Sequence, residues 1–517
     1  MIKSKKIIFF LSIIVMAASA ILAWILYFLF RQNFIEPSRY IRAEEILWQY
    51  TTLASSSICL LIFLKVSLNN SLNRILGINS IAKLILAFVF SILSLHIIAK
   101  FINIFIEFDC PKYWPISVFS PASRGLFEWG VVLGISLVFL AFSKHFSNKN
   151  FKLNLSSLII AAIILILGAN AIQGLEGFTK PISGKSTGEF QYYHDAINVK
   201  DTKHFICNFN EIQPNLKAHS KVHPPGAVLI IYWFNKIFKE NIFLVSISIA
   251  LIAGVLSALF FYKFLRFSFD YKTSKYAVFL LTIIPGVQIY YCTTIDALVA
   301  ACLLGVLYFL FYPNKVIGAF GAAVFCFLAS FLTFGFIFIL PVIFLFELLN
   351  NKSILKFSII SFCLIVFYGI FYILFDFNYL QSFINASIIE NPNGFRLFVN
   401  PVNYILTRLE GITEIILFIG PCLLLLIVKC CSFLKKNYFK VWNLFYIALL
   451  TLLMMFTTGA FRTGETARIC LFIYPYLILP IIALMLEKKC SVKEQVTLLS
   501  VVFVQSLFMQ INGSYFW

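Results

Sequence analysis

Residues 242–262 read IFLVSISIALIAGVLSALFFY, an apolar run of 21 residues that contains no charged side chain. As an α-helix this run would be about 32 Å long, which is enough to cross the roughly 30 Å hydrocarbon core of a bilayer. Lys263 and Arg266 follow it directly. The run therefore predicts a transmembrane helix whose basic end lies in the cytoplasm.

Similar runs recur along the whole chain of 517 residues, of which 61% are hydrophobic and 12% are charged. Such a composition excludes a water-soluble globular protein. The formal charge of +19 does not indicate nucleic-acid binding, because Lys and Arg stand in short clusters between the apolar runs. This arrangement is typical of cytoplasmic loops in membrane proteins. We therefore predict an all-α, polytopic membrane protein.

About fifteen runs are long enough to span a bilayer. In chain order they are 7–30, 47–66, 81–106, 126–142, 155–173, 242–262, 276–290, 297–312, two within 316–349, 357–375, 412–428, 441–456, 469–486 and 496–509. The stretch 316–349 is counted twice because one helix of that length would be about 51 Å long. A turn is expected near residues 330–335.

The basic clusters predict the orientation of these spans. With the N-terminus in the cytoplasm, alternation places the clusters at 263–275 and 429–440 on the cytoplasmic side, as the positive-inside rule requires. The agreement depends on residues 226–238, which are too few to cross and are expected to form a helix lying on the outer surface. Residues 174–241 then form the largest extracytoplasmic loop.

This loop carries most of the chemistry that the sequence offers. It holds four of the six histidines together with several carboxylates. Its most distinctive segments are Tyr192-Tyr193-His194-Asp195 and His223-Pro224-Pro225-Gly226. Two later segments on the same predicted side are Leu332-Thr333-Phe334-Gly335, with Pro341 after it, and Gly464-Glu465-Thr466-Ala467-Arg468, which runs into Tyr474-Pro475.

In the order and sidedness of these segments the chain resembles the polytopic glycosyltransferases of the type C fold. That group includes the protein O-mannosyltransferases and the bacterial lipid A aminoarabinose transferases. Phe334 departs from the pattern, since many members have lysine there. The resemblance covers residues 155–490 as a catalytic transmembrane core with outer juxtamembrane helices. Residues 1–154 would be additional N-terminal transmembrane helices, and residues 491–517 a C-terminal one.

The resemblance implies an enzyme that moves a sugar, with inversion, from a polyprenyl-phosphate donor to an acceptor hydroxyl on the extracytoplasmic side of the membrane. A bacterial inner membrane is the expected location. Such a donor already carries a good leaving group, so one carboxylate suffices as the proton acceptor. We assign this role to Asp195, ahead of Glu211. No metal or other cofactor is expected.

Arg468 is the first candidate for the phosphate, because its planar fork pairs with phosphate oxygens; Arg396, Arg408 and Arg462 are alternatives. His223 is expected to donate a hydrogen bond to phosphate or sugar. The remaining candidates for substrate binding are Tyr193, His194, Glu211, Asp296 and Glu465. The expected partners are the lipid-linked sugar, a glycan, lipid or protein acceptor, and membrane lipids, but not nucleic acid.

Each of these residues also has a structural interpretation. Asp195 could cap a turn, His223 could anchor the Pro-Pro turn, and Arg468 could pair with Glu465 or extend toward the membrane interface. Tyr192 and Tyr193 suit an interfacial aromatic belt. Two rival functions stay open, a transporter or flippase and a polymerase or ligase of lipid-linked glycans. A transporter usually carries ionisable groups near the bilayer midplane, where these runs have almost none.

Overall fold

The computed structural model describes residues 13–18, 20–22, 24–25, 27–28, 37–67, 72, 95–96, 120–147, 153–183, 191–431, 438–459 and 465–515. The expected span at 81–106 lies almost wholly outside these residues, and the one at 7–30 lies partly outside them. Before the large loop the helices are α1 (Pro37–Ser67), α2 (Leu126–Ser147), α3 (Leu155–Ala171) and α4 (Glu176–Ser183). A two-residue antiparallel pair joins β1 (Ser120–Pro121) to β2 (Gly513–Ser514).

The loop itself contains short helices. They are α5 (Tyr193–Ala196), α6 (Thr202–Cys207), α7 (Phe209–Ile212) and two 3-10 turns, Gln213–Asn215 and Ser220–Val222, followed by α8 (Gly226–Phe238). The central bundle follows with α9 (Ile242–Leu265), α10 (Tyr271–Thr282), α11 (Pro285–Tyr290), α12 (Ile295–Leu310), α13 (Lys315–Leu332), a 3-10 helix (Phe334–Phe338) and α14 (Ile339–Phe346).

A π-helical turn (Glu347–Asn351) continues α14. The last helices are α15 (Leu355–Phe375), α16 (Tyr379–Glu390), α17 (Arg396–Val399), α18 (Pro401–Ile419), α19 (Pro421–Cys430), α20 (Phe439–Thr457), α21 (Thr466–Ile469), a 3-10 turn (Leu471–Ile473), α22 (Tyr474–Glu487) and α23 (Val492–Asn512). The chain is thus a polytopic bundle of helices, as its composition predicts.

The described residues do not bear out the expected number of about fifteen spans, although two of those spans lie wholly or partly outside them. Among the described residues, eight helices are long and apolar enough to cross a membrane, or up to ten if each of two bent pairs is one span. The apolar runs are interrupted by proline and glycine residues, which break helices although they change the hydropathy little. Pro285 separates α10 from α11, and Gly420-Pro421 bends α18 against α19 by 101°. The runs at 297–312 and 469–486 yield helices of 16 and 14 residues, which are short for a span.

Two local predictions of secondary structure are confirmed. Residues 226–238 form the 13-residue helix α8, and the long run at 316–349 breaks after Leu332 into α13 and a second apolar segment. These two features meet. A Cβ on Gly226 would lie 2.2 Å from the carbonyl oxygen of Phe331, so only glycine lets α8 begin against the end of α13.

The core of the bundle consists of α9, α12, α13 and α15 packed side by side. Aromatic rings interlock the first three, because the Phe325 ring of α13 lies 4.8 Å from the Phe260 ring of α9 and 5.7 Å from the Phe309 ring of α12. Helix α12 starts at the end of the bundle that carries the large loop, which we call the loop end. It finishes at the opposite end, which carries Lys315 and Lys440 and is called the basic end.

Candidate functional site

Asp195 joins two distant parts of the large loop. It lies in α5, its side chain is buried, and its Oδ2 accepts a hydrogen bond from the backbone N–H of Lys217 at 3.0 Å. A carboxylate that accepts a backbone N–H fixes the chain at that point. Asp195 thereby holds the segment around Tyr192 beside the segment that leads to His223.

The neighbours of Asp195 also contact backbone. The His194 ring donates from Nε2 to the carbonyl oxygen of Ser183 at 2.9 Å, and the Tyr193 hydroxyl lies 3.5 Å from the carbonyl oxygen of Glu240. Glu211 is exposed in α7. The residues next to it bind α16, since Asn210 Nδ2 donates to the carbonyl oxygen of Asn378 at 2.8 Å.

Arg468 forms a charged cluster with two carboxylates at the loop end. Its Nε lies 3.2 Å from Oδ2 of Asp296, and its Nη2 forms an ion pair with Oε2 of Glu465. The three side chains are 14%, 17% and 9% exposed, respectively. Burial would lower the pKa of Arg468, but Glu465 and Asp296 outweigh burial and raise it. Arg468 is therefore a permanent cation in a largely desolvated place.

Two unusual backbone conformations hold this cluster. Asp296 is in the first turn of α12, where Thr294 Oγ1 accepts the N–H of Ala297 at 3.3 Å, and Thr293 just before it has φ 69°. Glu465, which precedes α21, has φ 66°. Positive φ is costly for residues other than glycine and is often maintained at functional sites. Both carboxylates thus come from strained turns.

Helix α21 is attached to the bundle by a buried acid. Oε2 of Glu414, on α18, accepts the N–H of Ala467 at 3.2 Å, and the Glu414 side chain is fully buried. This bond orients the short helix that carries Arg468. The position of the guanidinium is therefore set by α18 as well as by α12.

The large loop covers the cluster with three rings. The Tyr192 ring lies 5.4 Å from the His223 ring and 5.9 Å from the His219 ring, and Nδ1 of His223 donates to the carbonyl oxygen of His219 at 2.8 Å. Burial lowers the pKa of His219 to about 3, with Arg468 contributing. Burial also lowers the pKa of His223, although Asp296 partly offsets it. Both rings are therefore neutral at neutral pH.

Tyr192 shows that the loop and the cluster are neighbours. Burial raises the pKa of its hydroxyl, and the charges that act on it besides burial are those of Asp296, Arg468 and Glu465. Of the residues that the sequence proposes, the structure thus brings together His223, Asp296, Glu465 and Arg468. The other proposed residues have no described contact with this cluster: three of them contact backbone groups instead, and the fourth is exposed (Asp195, His194, Tyr193 and Glu211).

The alternative arginines have other partners. Arg396 lies 4.0 Å from Glu390, and Arg408 donates to the carbonyl oxygen of Phe456 at 2.8 Å. Arg462 lies outside the described residues. Within the described part of the chain, no group of three or more His, Cys, Asp or Glu side chains is arranged to hold a metal ion.

Two members of the site were not assigned to substrate from the sequence, Tyr192 and His219. Their sequence signal is weak, because the spacing of His219 four residues before His223 does not by itself assign a role, and Tyr192 suits an aromatic belt. Comparison with known proteins adds no assignment, since no family model and no curated protein matches the chain. The described residues define the class, a polytopic helical membrane protein with a buried charged cluster under a polar loop.

Proposed function

We propose that the protein is an inverting glycosyltransferase that takes its sugar from a polyprenyl phosphate and acts at the Arg468 cluster. The observation that carries this proposal is the environment of Arg468, a buried guanidinium at the mouth of the bundle with two carboxylates beside it and neutral rings above it. A lipid phosphate needs a fixed cation at this depth, and the attacking hydroxyl needs a carboxylate close by.

The reaction would proceed as one displacement. The acceptor oxygen forms a bond to the anomeric carbon of the sugar while the bond from that carbon to the phosphate oxygen breaks. The electron pair leaves with polyprenyl phosphate, whose charge Arg468 stabilises, and the proton of the acceptor hydroxyl passes to a carboxylate. Attack opposite to the leaving group inverts the anomeric configuration.

To bind the donor, Arg468 must exchange part of its interaction with Glu465 and Asp296 for an interaction with the phosphate. Burial raises the pKa of Glu465, although Arg468 opposes this effect. Glu465 is therefore the carboxyl that can take up a proton and release Arg468 as the anionic phosphate arrives. In addition, among the described residues Nε of Arg468 has no acceptor in hydrogen-bond geometry despite its proximity to Asp296, which leaves this N–H for a ligand.

His223 fits the acceptor better than the phosphate. Its Nδ1–H is used on the carbonyl oxygen of His219, and the ring is neutral, so Nε2 carries a lone pair and accepts hydrogen bonds. The sequence predicts a donor at this position. An acceptor at Nε2 instead suits the hydroxyl group that attacks.

Two carboxylates compete for the role of proton acceptor. The sequence assigns it to Asp195, whose Oδ2 binds the backbone of Lys217. The geometry favours Asp296, because it lies beside the cation that would hold the phosphate and is more exposed than Glu465. We therefore propose Asp296 as the base and keep Asp195 as the alternative to be tested directly.

The proposal is tested with purified protein in detergent and a panel of radiolabelled polyprenyl-phosphate sugars. One donor should bind, should be displaced by unlabelled polyprenyl phosphate, and should lose its sugar to an acceptor in a membrane extract. Failure of every monophosphate donor, with binding of a diphosphate-linked oligosaccharide, would instead favour a polymerase or ligase. Transport of a lipid-linked sugar across proteoliposomes without any transfer would favour a flippase.

A further inference from the structure

A second polar site lies at the basic end, away from the Arg468 cluster. A cavity of about 340 Å³ opens where α12 ends, where α13 and α15 begin, and beside the π-helical turn. Helix α12 connects the two places, since Asp296 is in its first turn and Leu310 is its last residue. Its 16 residues separate them by roughly 24 Å.

The cavity has an excess of positive charge. Lys315, Lys356 and Lys440 line it from three different elements, together with the carboxylate of Glu347. Asn351 Nδ2 donates to Oε1 of Glu347 at 2.6 Å, so that this acid is hydrogen-bonded within its own turn. Three lysines against one glutamate attract an anion.

Backbone dipoles add to this charge. Helices α13, α15 and α20 begin at Lys315, Leu355 and Phe439, all at or next to the cavity, and contain 18, 21 and 19 residues. The N-terminus of a helix carries partial positive charge and favours anions. Side chains already accept some of the first N–H groups, since Ser353 Oγ accepts that of Leu355 at 3.2 Å and Asn314 Oδ1 accepts those of Val316 and Ile317, so it is the helix dipole that favours an anion here.

Lys356 and the other two lysines have different positions. Lys356 is only 6% exposed, and its Nζ donates to the carbonyl oxygens of Leu310, the last residue of α12, and of Tyr312 just after it. Lys356 therefore connects the start of α15 to the end of α12 within the wall of the cavity. Lys315 and Lys440 are exposed and can reach a ligand that enters from outside.

Exposed apolar side chains stand at or next to the lining residues along the chain, and we call them the apolar rim. Leu355 lines the cavity and is 47% exposed, and three residues close in sequence to lining residues, Val316, Ile317 and Leu349, are 65%, 54% and 56% exposed. A free phosphate ion would leave this rim uncovered, whereas the acyl chains of a phospholipid would cover it. The pattern of charge within an apolar rim is that of a lipid head-group site between transmembrane helices.

We propose that this cavity binds the phosphate group of an anionic glycerophospholipid, with Lys315 and Lys440 as its principal contacts. The site is independent of the glycosyltransferase function and is formed whether or not that function is correct. On the predicted topology it faces the cytoplasmic leaflet.

The test compares binding of short-chain phosphatidylglycerol with that of short-chain phosphatidylcholine and inorganic phosphate to the full-length protein in detergent, by native mass spectrometry and by the shift in thermal unfolding temperature. The variant is Lys315→Gln with Lys440→Gln. Its matched control is Lys352→Gln with Lys493→Gln, two exposed lysines that do not line the cavity. Both variants lose the same charge.

We expect phosphatidylglycerol to bind and stabilise the wild type and the control, and to bind the Lys315/Lys440 variant at least about tenfold more weakly. Equal binding of phosphatidylglycerol to the two double variants would overturn the site. An equal effect of phosphatidylcholine would show that charge is irrelevant, and an equal effect of inorganic phosphate would show that no lipid is required. Either result would also refute the proposal.

Discussion

Arg468 lies within ion-pair distance of two carboxylates, and the proposed site depends on its guanidinium turning to a phosphate. Arg468→Ala should weaken binding of a radiolabelled polyprenyl-phosphate sugar by at least about tenfold. Arg468→Lys should restore part of this loss, because a lysine keeps the charge but not the bidentate fork. Arg396→Ala is the control, since it also breaks an ion pair at the loop end. Unchanged donor affinity in Arg468→Ala would return this residue to a structural role.

The proton acceptor can be identified by two isosteric substitutions. Asp296→Asn should still bind donor but should transfer sugar at least about a hundredfold more slowly, as expected for loss of a general base. Asp195→Asn can still accept the N–H of Lys217 and should keep both its fold and most of its turnover. Turnover at saturating donor measures both. If Asp195→Asn is the inactive variant and Asp296→Asn is active, the sequence-based assignment is correct.

Stability should fall in acid because of the neutral ring of His219. Its pKa is about 3 in the folded protein against an ordinary value of 6.5, so the unfolded chain binds more protons between these values. The unfolding temperature in detergent should therefore decrease as the pH is lowered from 7.5 to 5, with most of the decrease below the ordinary histidine pKa of 6.5. His219→Gln should reduce this dependence on pH. His204→Gln, an exposed histidine of the same loop, serves as the control; an equal reduction in both variants would contradict the assignment.

At the scale of single elements, α16 shows an apolar face that has no partner among the described residues. Leu380 is 66% and Ile388 61% exposed, while the opposite face holds the large loop through the carbonyl oxygen of Ser382, which accepts from Gln213 at 3.0 Å. An amphipathic helix of this kind lies in the membrane interface. Helix α16 would then support the loop that covers the Arg468 cluster.

A spin label tests the position of α16. In a cysteine-free background, a nitroxide at Ile388 should be more accessible to oxygen than to a water-soluble nickel complex, whereas one at the exposed Lys203 of α6 should show the reverse. Continuous-wave EPR power saturation measures both accessibilities. Preference for the nickel complex at Ile388 would place α16 in water.

The elements that the sequence predicted best were those with a single physical cause. The start of α8 follows from Pro224-Pro225 before it, and its end follows from the length of its apolar segment. The break after Leu332 follows from the length of the apolar run at 316–349, which is too long for one span. Within the described residues fewer spans were found than expected, in part because hydropathy averages over a kink such as Gly420-Pro421, where Gly420 has φ 90°. Helix direction at such a point is decided by backbone geometry rather than by polarity.

The site was predictable only in part, for a similar reason. The sequence indicated Arg468, Asp296, Glu465 and His223 as substrate-binding, and these four lie together. Contact between Tyr192 and His219 joins residues that are separated by a stretch of loop whose path the sequence does not specify. The hydrogen bond from Lys217 to Asp195 could not be predicted, because its donor is a backbone N–H, which nearly every residue type has.

At the scale of the whole molecule, the topology is open to direct measurement. Single cysteines at Asn393 and Lys203, both exposed at the loop end, should react with an impermeant maleimide added to intact cells. A cysteine at Ser268, which is exposed after α9, should react only after the membrane is permeabilised. The physical reason is the positive-inside rule applied to Lys263 and Arg266. Labelling of Ser268→Cys in intact cells would invert the orientation and, with it, the side on which the proposed reaction occurs.

The shortness of α12 has a consequence for the depth of chemistry in the bilayer. Helix α9 has 24 residues and α12 has 16, so α9 is longer by roughly 12 Å, or about 6 Å at each end if the two helices share a centre. Asp296 would then lie at the bottom of a shallow well, level with the ester region of the outer leaflet rather than with bulk water. On the proposed function, a polyprenyl phosphate could reach Arg468 by lateral diffusion, with its isoprenoid chain remaining among the lipid tails throughout the reaction.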